Sequence, residues 1–263
     1  MTVSEAISAS GIDVREARLL LAEVCGFSQA SLVASPEREI PFEVENAFLE
    51  LTKKRANGEP VAYILGRKEF YGLALSVNPS VLIPRPETEL LVDLALERNA
   101  STVLDLGTGC GAIALAIKHQ RPECRVVAVD SDLSALLTAQ RNAAKLNLQI
   151  DFRHGRWFDP VAGERFELIV SNPPYVASGD PHLAALRFEP RGALVAGPEG
   201  LDSIREIVKA AGSFLRPGGA LLLEHGFGQD VAVRGLLAAA GLESVVTWPD
   251  LAGIARVSGG TLK

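Results

Sequence analysis

Apolar residues in the first 60 positions recur at helical spacing. Val14, Ala17, Leu20, Leu21 and Val24 share one helix face. Asp13, with Glu16 three residues on, has the pattern of a capping box, and Gly26 ends the run. Pro41 suits a first helical turn, Val44, Ala47, Phe48 and Leu51 mark one face of a second helix, and Asn57-Gly58 closes it. No strand pattern occurs, so residues 1–60 are expected to form a small helical domain whose stripes are its core. Between 61 and 86 the character changes. Gly66, Gly72, Pro79, Pro84 and Pro86 punctuate short apolar pieces, Val61–Leu65 and Leu73–Val77, which predicts a hairpin or extended connector.

Beyond Pro86, over 87–263, strands and helices alternate. Helices are predicted at Glu87–Arg98, Ala112–His119, Leu133–Leu146, Leu201–Phe214 and Asp230–Ala240. Strands are predicted at Thr102–Leu106, Arg125–Val129, Ile150–Arg153, Glu167–Val170, Ala220–Glu224, Ser244–Trp248 and Ile254–Val257. Apolar strands alternating with amphipathic helices predict an α/β fold, a mostly parallel sheet covered on both faces.

Composition narrows the function classes. The chain has 263 residues, 48% hydrophobic and 22% charged, as in ordinary globular domains. No apolar run reaches the ~18 residues of a membrane span. Met1–Ser10 carries Glu5 and no basic residue, unlike a secretory signal. Cys25, Cys110 and Cys124 show no metal-ligand or disulfide spacing, so a reduced, cytoplasmic protein without metal is expected. Net charge is −6, and residues 1–60 hold ten acidic and six basic side chains. That balance disfavours direct nucleic-acid binding and favours a protein or small-molecule partner.

Two segments carry chemistry. In Val103-Leu-Asp-Leu-Gly-Thr-Gly-Cys-Gly-Ala112, Gly107, Gly109 and Gly111 lie where a first strand turns into a helix. Glycines there let the backbone approach a ligand at a helix N-terminus. Asp105 precedes them, and Asp130 follows at the end of the second strand, where an acid can accept from ribose hydroxyls. No GK[ST] occurs, so a triphosphate loop is not expected. The second segment, Asn172-Pro173-Pro174-Tyr175, follows the fourth predicted strand, at the carboxyl edge where open α/β sheets bind ligands. Prolines stiffen it. It can offer two acceptors, the Asn172 side-chain oxygen and the Pro173 carbonyl, to an NH2 on an sp2 carbon, and Tyr175 can pack on a planar amide or base. Such a nitrogen is a poor nucleophile, and binding both of its protons frees its lone pair.

The glycine segment with Asp130 resembles motif I and the following acid of class I S-adenosylmethionine-dependent methyltransferases. NPPY resembles the target-nitrogen motif of methyltransferases acting on adenine N6, guanine N2 or protein glutamine. Pro60–Gly66, Glu69–Gly72, Leu82–Glu89 and Glu189–Leu194 make the chain similar, over nearly its whole length, to the HemK/PrmC family, the release factor glutamine N5-methyltransferases. The resemblance implies a Rossmann-like domain with a seven-stranded sheet and a helical leader that docks the protein substrate. It also implies methylation of the glutamine in the Gly-Gly-Gln loop of class I release factors from S-adenosyl-L-methionine. We expect a monomer.

Carried over, Gly107, Thr108, Gly109, Cys110 and Gly111 would line the methionine and ribose part of the cofactor, and Asp130 the ribose. Trp157 would stack near the adenine, with Arg156 where many methyltransferases have an acid. Asn172 would meet both cofactor and glutamine, Pro173 and Pro174 the amide, Tyr175 the pocket shape, and Leu82 to Pro86 one pocket wall. Arg85 and Glu89 fit either an ion pair or substrate contact. His119, His154 and His182 are read as surface or loop residues. His225 fits a structural role better than a cleft wall. The alternative activity is an adenine-N6 methyltransferase, which the acidic leader disfavours; a non-catalytic binding module is disfavoured by the intact motifs.

Overall fold

The computed structural model describes all residues, Met1–Lys263. The chain divides into two compact units, Met1–Arg67 and Lys68–Lys263. The first holds α1 (Val3–Ala9), α2 (Val14–Cys25), α3 (Gln29–Ala34), α4 (Phe42–Ala56) and α5 (Val61–Leu65). Its core gathers Val3, Ala6, Ala17, Leu20, Leu21, Leu32, Ile40 and Phe48. Asp13 caps α2 through the Arg15 and Glu16 backbone N–H groups, and Gly26 ends it in the left-handed conformation. The reciprocal half of the expected box is missing, because Glu16 pairs instead with Arg55 at 2.7 Å. A complete capping box stands at Thr2 and Glu5. Val14, expected in the stripe, is 51% exposed.

Val61–Leu65 corrects the reading of that piece as hairpin or extended chain. Pro60 starts a helical turn there and Gly66 stops it at φ +68°, so proline and glycine bracket a helix rather than a strand. The hairpin proper is β1 (Arg67–Phe70) and β2 (Leu73–Ser76).

A 3-10 turn at Pro86–Thr88 leads into α6 (Glu89–Glu97). Then come β3 (Thr102–Leu106), α7 (Ala112–Gln120), β4 (Arg125–Asp130), α8 (Leu133–Leu146), β5 (Asp151–His154) and β6 (Phe166–Ser171). The chain ends with α9 (Asp202–Phe214), β7 (Leu215–Glu224), α10 (Asp230–Ala239), β8 (Leu242–Pro249) and β9 (Ala255–Leu262). All seven strands join one sheet in the order β5-β4-β3-β6-β7-β9-β8. It is parallel except for β9, which runs antiparallel to β7 and β8.

Side chains alternate across each strand. Leu104, Leu106, Val127, Val129, Ile169, Leu221 and Leu223 pack with Ile204, Ile207, Val208 and Ala211 of α9 and Val233 and Leu237 of α10. Their neighbours in the strands turn to the opposite face, while α6 packs on β6 and β7 and α7 on β4. β9 runs five residues beyond the predicted Val257 because Gly259 and Gly260 continue it. A Cβ on Gly259 would meet the Leu221 carbonyl oxygen at 2.7 Å, so the strand needs glycine where it crosses β7.

One buried amide ties the hairpin to the glycine segment. Asn142 of α8 accepts from Ser76 N at 2.7 Å. Its NH2 donates to the Ser76 and Cys110 carbonyls at 3.0 and 2.9 Å. Asn142 is 1% exposed. Asn142→Ala leaves two carbonyls and an N–H without this partner. At roughly 1–3 kcal/mol per orphaned group, urea denaturation should show a loss of at least about 2 kcal/mol.

Candidate active site

A cavity of about 580 Å³ opens at the carboxyl edge of β3, β4 and β6. This is where ligands bind in open α/β sheets. It brings together Gly107, Gly109, Asp130, Trp157, Asn172, Pro174 and Leu82. Pro190, Gly192 and Val195–Gly197 close another side. Thr108, Cys110, Gly111, Pro173 and Tyr175 lie outside its walls.

Each of those five has another place. Thr108 is buried and donates to Asp105 Oδ2 at 2.6 Å. Burial pushes the Cys110 thiol up to about 12, so it is no nucleophile near neutral pH. Gly111, at φ +87°, caps α7, and a Cβ there would meet Leu115 Cδ1 at 2.9 Å and Ala139 Cβ at 3.1 Å. Pro173 is buried. The Tyr175 ring packs against the sheet core, and its hydroxyl donates to Glu224 Oε1 at 3.3 Å.

Asp130 ends β4. Its Oδ2 accepts from Gly109 N and its Oδ1 from Asp132 N, both at 2.8 Å. A carboxylate has about four lone-pair sites, so two acceptor positions remain. Burial raises its pKa, and the backbone N–H groups oppose that. Trp157, at φ +43°, sets its ring against Gly107; a Cβ on that glycine would meet Cζ3 at 3.5 Å.

The acid absent at Arg156 comes from α9. Glu206 takes both Arg156, at 2.8 and 2.7 Å, and Trp157 Nε1, at 2.9 Å. Nothing local in the sequence marks Glu206, because its partners lie about 50 residues away. A second hollow of about 440 Å³ shares Arg156, Trp157 and Glu206 with the first and extends to Phe158, Ala210 and Phe214.

Asn172 follows β6 directly. Its Nδ2 donates to Thr88 Oγ1 at 3.1 Å, while its Oδ1 has no partner although it is buried. An acceptor left open in a cavity-lining residue marks a place for a ligand N–H. Thr88, only 4% exposed, escaped the sequence reading except as part of the Leu82–Glu89 motif.

Arg85 and Glu89 do not pair with one another. Arg85 pairs with buried Glu189, which also accepts from Ile83 N at 3.0 Å. Glu89 accepts from Tyr71 N at 2.9 Å and so fixes the hairpin turn. His225 is fully buried, with Nε2 2.9 Å from Ser258 Oγ, a structural histidine.

Two carboxyls are held far above their usual range. Burial pushes both Asp105 and Glu224 up to about 7. For Asp105 the Thr108 hydroxyl opposes the shift and the Asp130 charge adds to it.

The fold and cavity define a class I methyltransferase. Family models described as "Methyltransferase small domain" and "PrmC N-terminal domain" match residues 86–188 and 3–66. A release factor glutamine methyltransferase of Burkholderia pseudomallei is 47% identical, covering 99% of this chain and 96% of its own. That of Pseudomonas aeruginosa is 49% identical, covering 92% and 90%. Among solved structures, a Thermus thermophilus 16S rRNA N2 G1207 methyltransferase, in complex with AdoMet and guanosine, superposes with TM-score 0.57 at 23% identity. It covers 75% of this chain and 50% of its own. A Pyrococcus furiosus methyltransferase gives 0.56 at 18%, covering 72% and 89%. At those identities the structures establish the fold alone. By its sequence relatives, the chain belongs to the release factor glutamine methyltransferase family and is an enzyme. No helix is long and apolar enough to cross a membrane.

The buried carboxyls give a stability prediction. Between about pH 4 and 7 the folded chain keeps protons on Asp105 and Glu224 that the unfolded chain has released. Stability from these groups is therefore greatest at low pH within that window and declines as pH rises through about 7. His225, whose pKa burial lowers, works in the opposite sense. Asp105→Asn removes one carboxyl. The difference in melting temperature, wild type minus Asp105→Asn, should fall by several degrees between pH 5 and pH 8. An unchanging difference contradicts the assignment.

Proposed function

We propose that the enzyme methylates the side-chain amide nitrogen of the glutamine in the Gly-Gly-Gln loop of class I release factors. S-adenosyl-L-methionine, when bound, supplies the methyl group as a sulfonium that takes up the electron pair of the breaking S–CH3 bond. The open acceptor on Asn172 carries this reading. Its Oδ1, with the Pro173 carbonyl, binds the two protons of the substrate NH2 and directs the nitrogen lone pair to the cleft. The nitrogen gives up a proton to solvent as or after it is alkylated. Placement, desolvation and hydrogen bonding provide the rate, without a strong base or a metal.

The cavity suits the cofactor. Asp130 keeps two acceptor sites for ribose hydroxyls, Trp157 and Gly107 both line the cavity, and the volume lies in the usual range for ligand pockets.

Methyl-labelled cofactor incubated with a release factor should place the label on that glutamine. Asn172→Ala should lower kcat by at least ~10²-fold, the scale for losing a positioned polar group, with a much smaller change in cofactor affinity. Label found on adenine in nucleic acid would favour the alternative activity, and near-normal kcat in the variant would remove Asn172 from the chemistry.

The first unit is proposed to dock the release factor. Its exposed acids include Glu37, Glu39 and Glu43, beside exposed Phe42 and Val33. A chain of residues 68–263 should bind cofactor, because every cavity residue lies after Arg67. Its kcat/KM on an intact release factor should fall, while a short Gly-Gly-Gln peptide is a poor substrate for both forms. An equal ratio of the two substrates in both forms would exclude docking by this unit.

A further inference from the structure

Trp157 carries its indole on a backbone at φ +43°, a left-handed conformation that bulky residues avoid. Such a conformation persists only where the surroundings fix it. Three contacts do so here. A Cβ on Gly107 would meet Cζ3 at 3.5 Å, which places the benzo end of the ring at the glycine segment. The Arg156 guanidinium lies over the ring, 5.8 Å from its centroid. At the pyrrole end, Nε1 donates to Glu206 Oε2 at 2.9 Å.

Glu206 is itself braced. Arg156 Nε donates to its Oε2 at 3.1 Å and Arg156 Nη2 to its Oε1 at 2.8 Å. Its helix, α9, is anchored by buried Ile204, Ile207 and Val208. A group presented from a packed helix is placed more precisely than one on a loop. Stability gives little reason for this arrangement, because Arg156 and Glu206 are 60% and 47% exposed, and exposed pairs contribute little. The space around the ring gives a better one. Trp157 borders both hollows, so the second, of about 440 Å³, offers its ring somewhere else to lie. Of the three contacts the Nε1–H bond is the most directional, and it selects between the two. Trp157 is also the one aromatic side chain lining the larger cavity, hence the one surface there on which a flat base can stack.

We propose that Glu206 is a positioning residue for cofactor binding: braced by Arg156, it holds the Trp157 indole by its N–H against the cofactor's base and keeps the ring out of the second hollow. This rests on the reading of the larger cavity as the cofactor site given above.

The test measures affinity for S-adenosyl-L-homocysteine by calorimetry, which needs no turnover. Glu206→Leu and Trp157→Phe should each weaken binding by about tenfold, the scale of one hydrogen bond to a charged group. The double variant should bind no worse than either single one, because Glu206 has no indole N–H left to hold. Glu206→Gln, which keeps an acceptor oxygen, should recover most of the affinity. In a Trp248→Phe background Trp157 is the only tryptophan. Its fluorescence anisotropy in the ligand-free protein should fall in Glu206→Leu and hold in Glu206→Gln. Losses that add in the double variant overturn the proposal, since Glu206 then acts on the ligand itself. A collapse of melting temperature in both Glu206 variants also overturns it, because the residue then holds the fold. If Asp130→Ala weakens binding and Glu206→Leu does not, this proposal alone fails. If Asp130→Ala leaves binding unchanged, the reading beneath it fails.

Discussion

The four central strands of the sheet are buried on both faces, and that constraint places almost everything else. β3, β4, β6 and β7 carry nearly unbroken buried runs, so polar chemistry is confined to their ends. Because these strands are parallel, their carboxyl ends all meet one edge. Each contributes a polar side chain there: Asp105 from β3, Asp130 from β4, Asn172 just after β6 and Glu224 from β7. The site is therefore an outcome of topology before it is an outcome of any motif. A one-residue shift in any of these strands would move its polar group to the other face of the sheet.

Confinement to a dry edge also sorts the carboxyls. Asp130 faces backbone N–H groups from two loops, which oppose the cost of burying charge. Asp105 and Glu224 face chiefly hydroxyls, which compensate less, and both sit near neutrality. Burying a carboxyl this way destabilises the fold at neutral pH, and local packing alone does not call for it. Both have an oxygen without a partner, as Asn172 does. Of these three oxygens only that of Asn172 belongs to a residue lining the cavity, where a ligand donor can meet it.

Much of the fold was legible because period and punctuation agree. α8 matches its predicted span end to end, since Asp132 caps it and its stripe is unbroken. β3 does too. Val61–Leu65 misled because five apolar residues fit a strand or a single helical turn equally well, and only packing in the first unit decides. β9 was cut short because glycine reads as a strand end unless a close approach is known. In the site, Gly107, Gly109, Asp130 and Asn172 were legible because each sits in or beside a local pattern, and Trp157 only through the family resemblance. Thr88, Asn142 and Glu206 were not. Their meaning lies in partners 84, 66 and 49–50 residues away, which no local pattern encodes.

Those long-range bonds explain how a loop segment at the cavity holds one fixed geometry. Gln229, at the start of α10, donates to the Tyr175 carbonyl at 3.0 Å and accepts from Gly226 N at 2.8 Å. It thereby joins the segment after β6 to the loop after β7. Gly200 packs so tightly on the Tyr175 carbonyl that a side chain there would displace it. Arg85 and Ile83 close on Glu189 from the opposite side, bringing the Leu82–Glu89 segment against the loop that begins at Pro190. Asn172 is thus held from three directions: by the sheet behind it, by Thr88 at its amide, and by the Gln229 clamp further along its segment. For the reaction proposed above, where an amide nitrogen reacts only if its lone pair is aligned, alignment by preformed bonds costs no reorganisation when substrate arrives. The stiffness of Asn172-Pro173-Pro174-Tyr175 is therefore only half local. Prolines limit the backbone, and residues distant in sequence set the direction in which the side chain points.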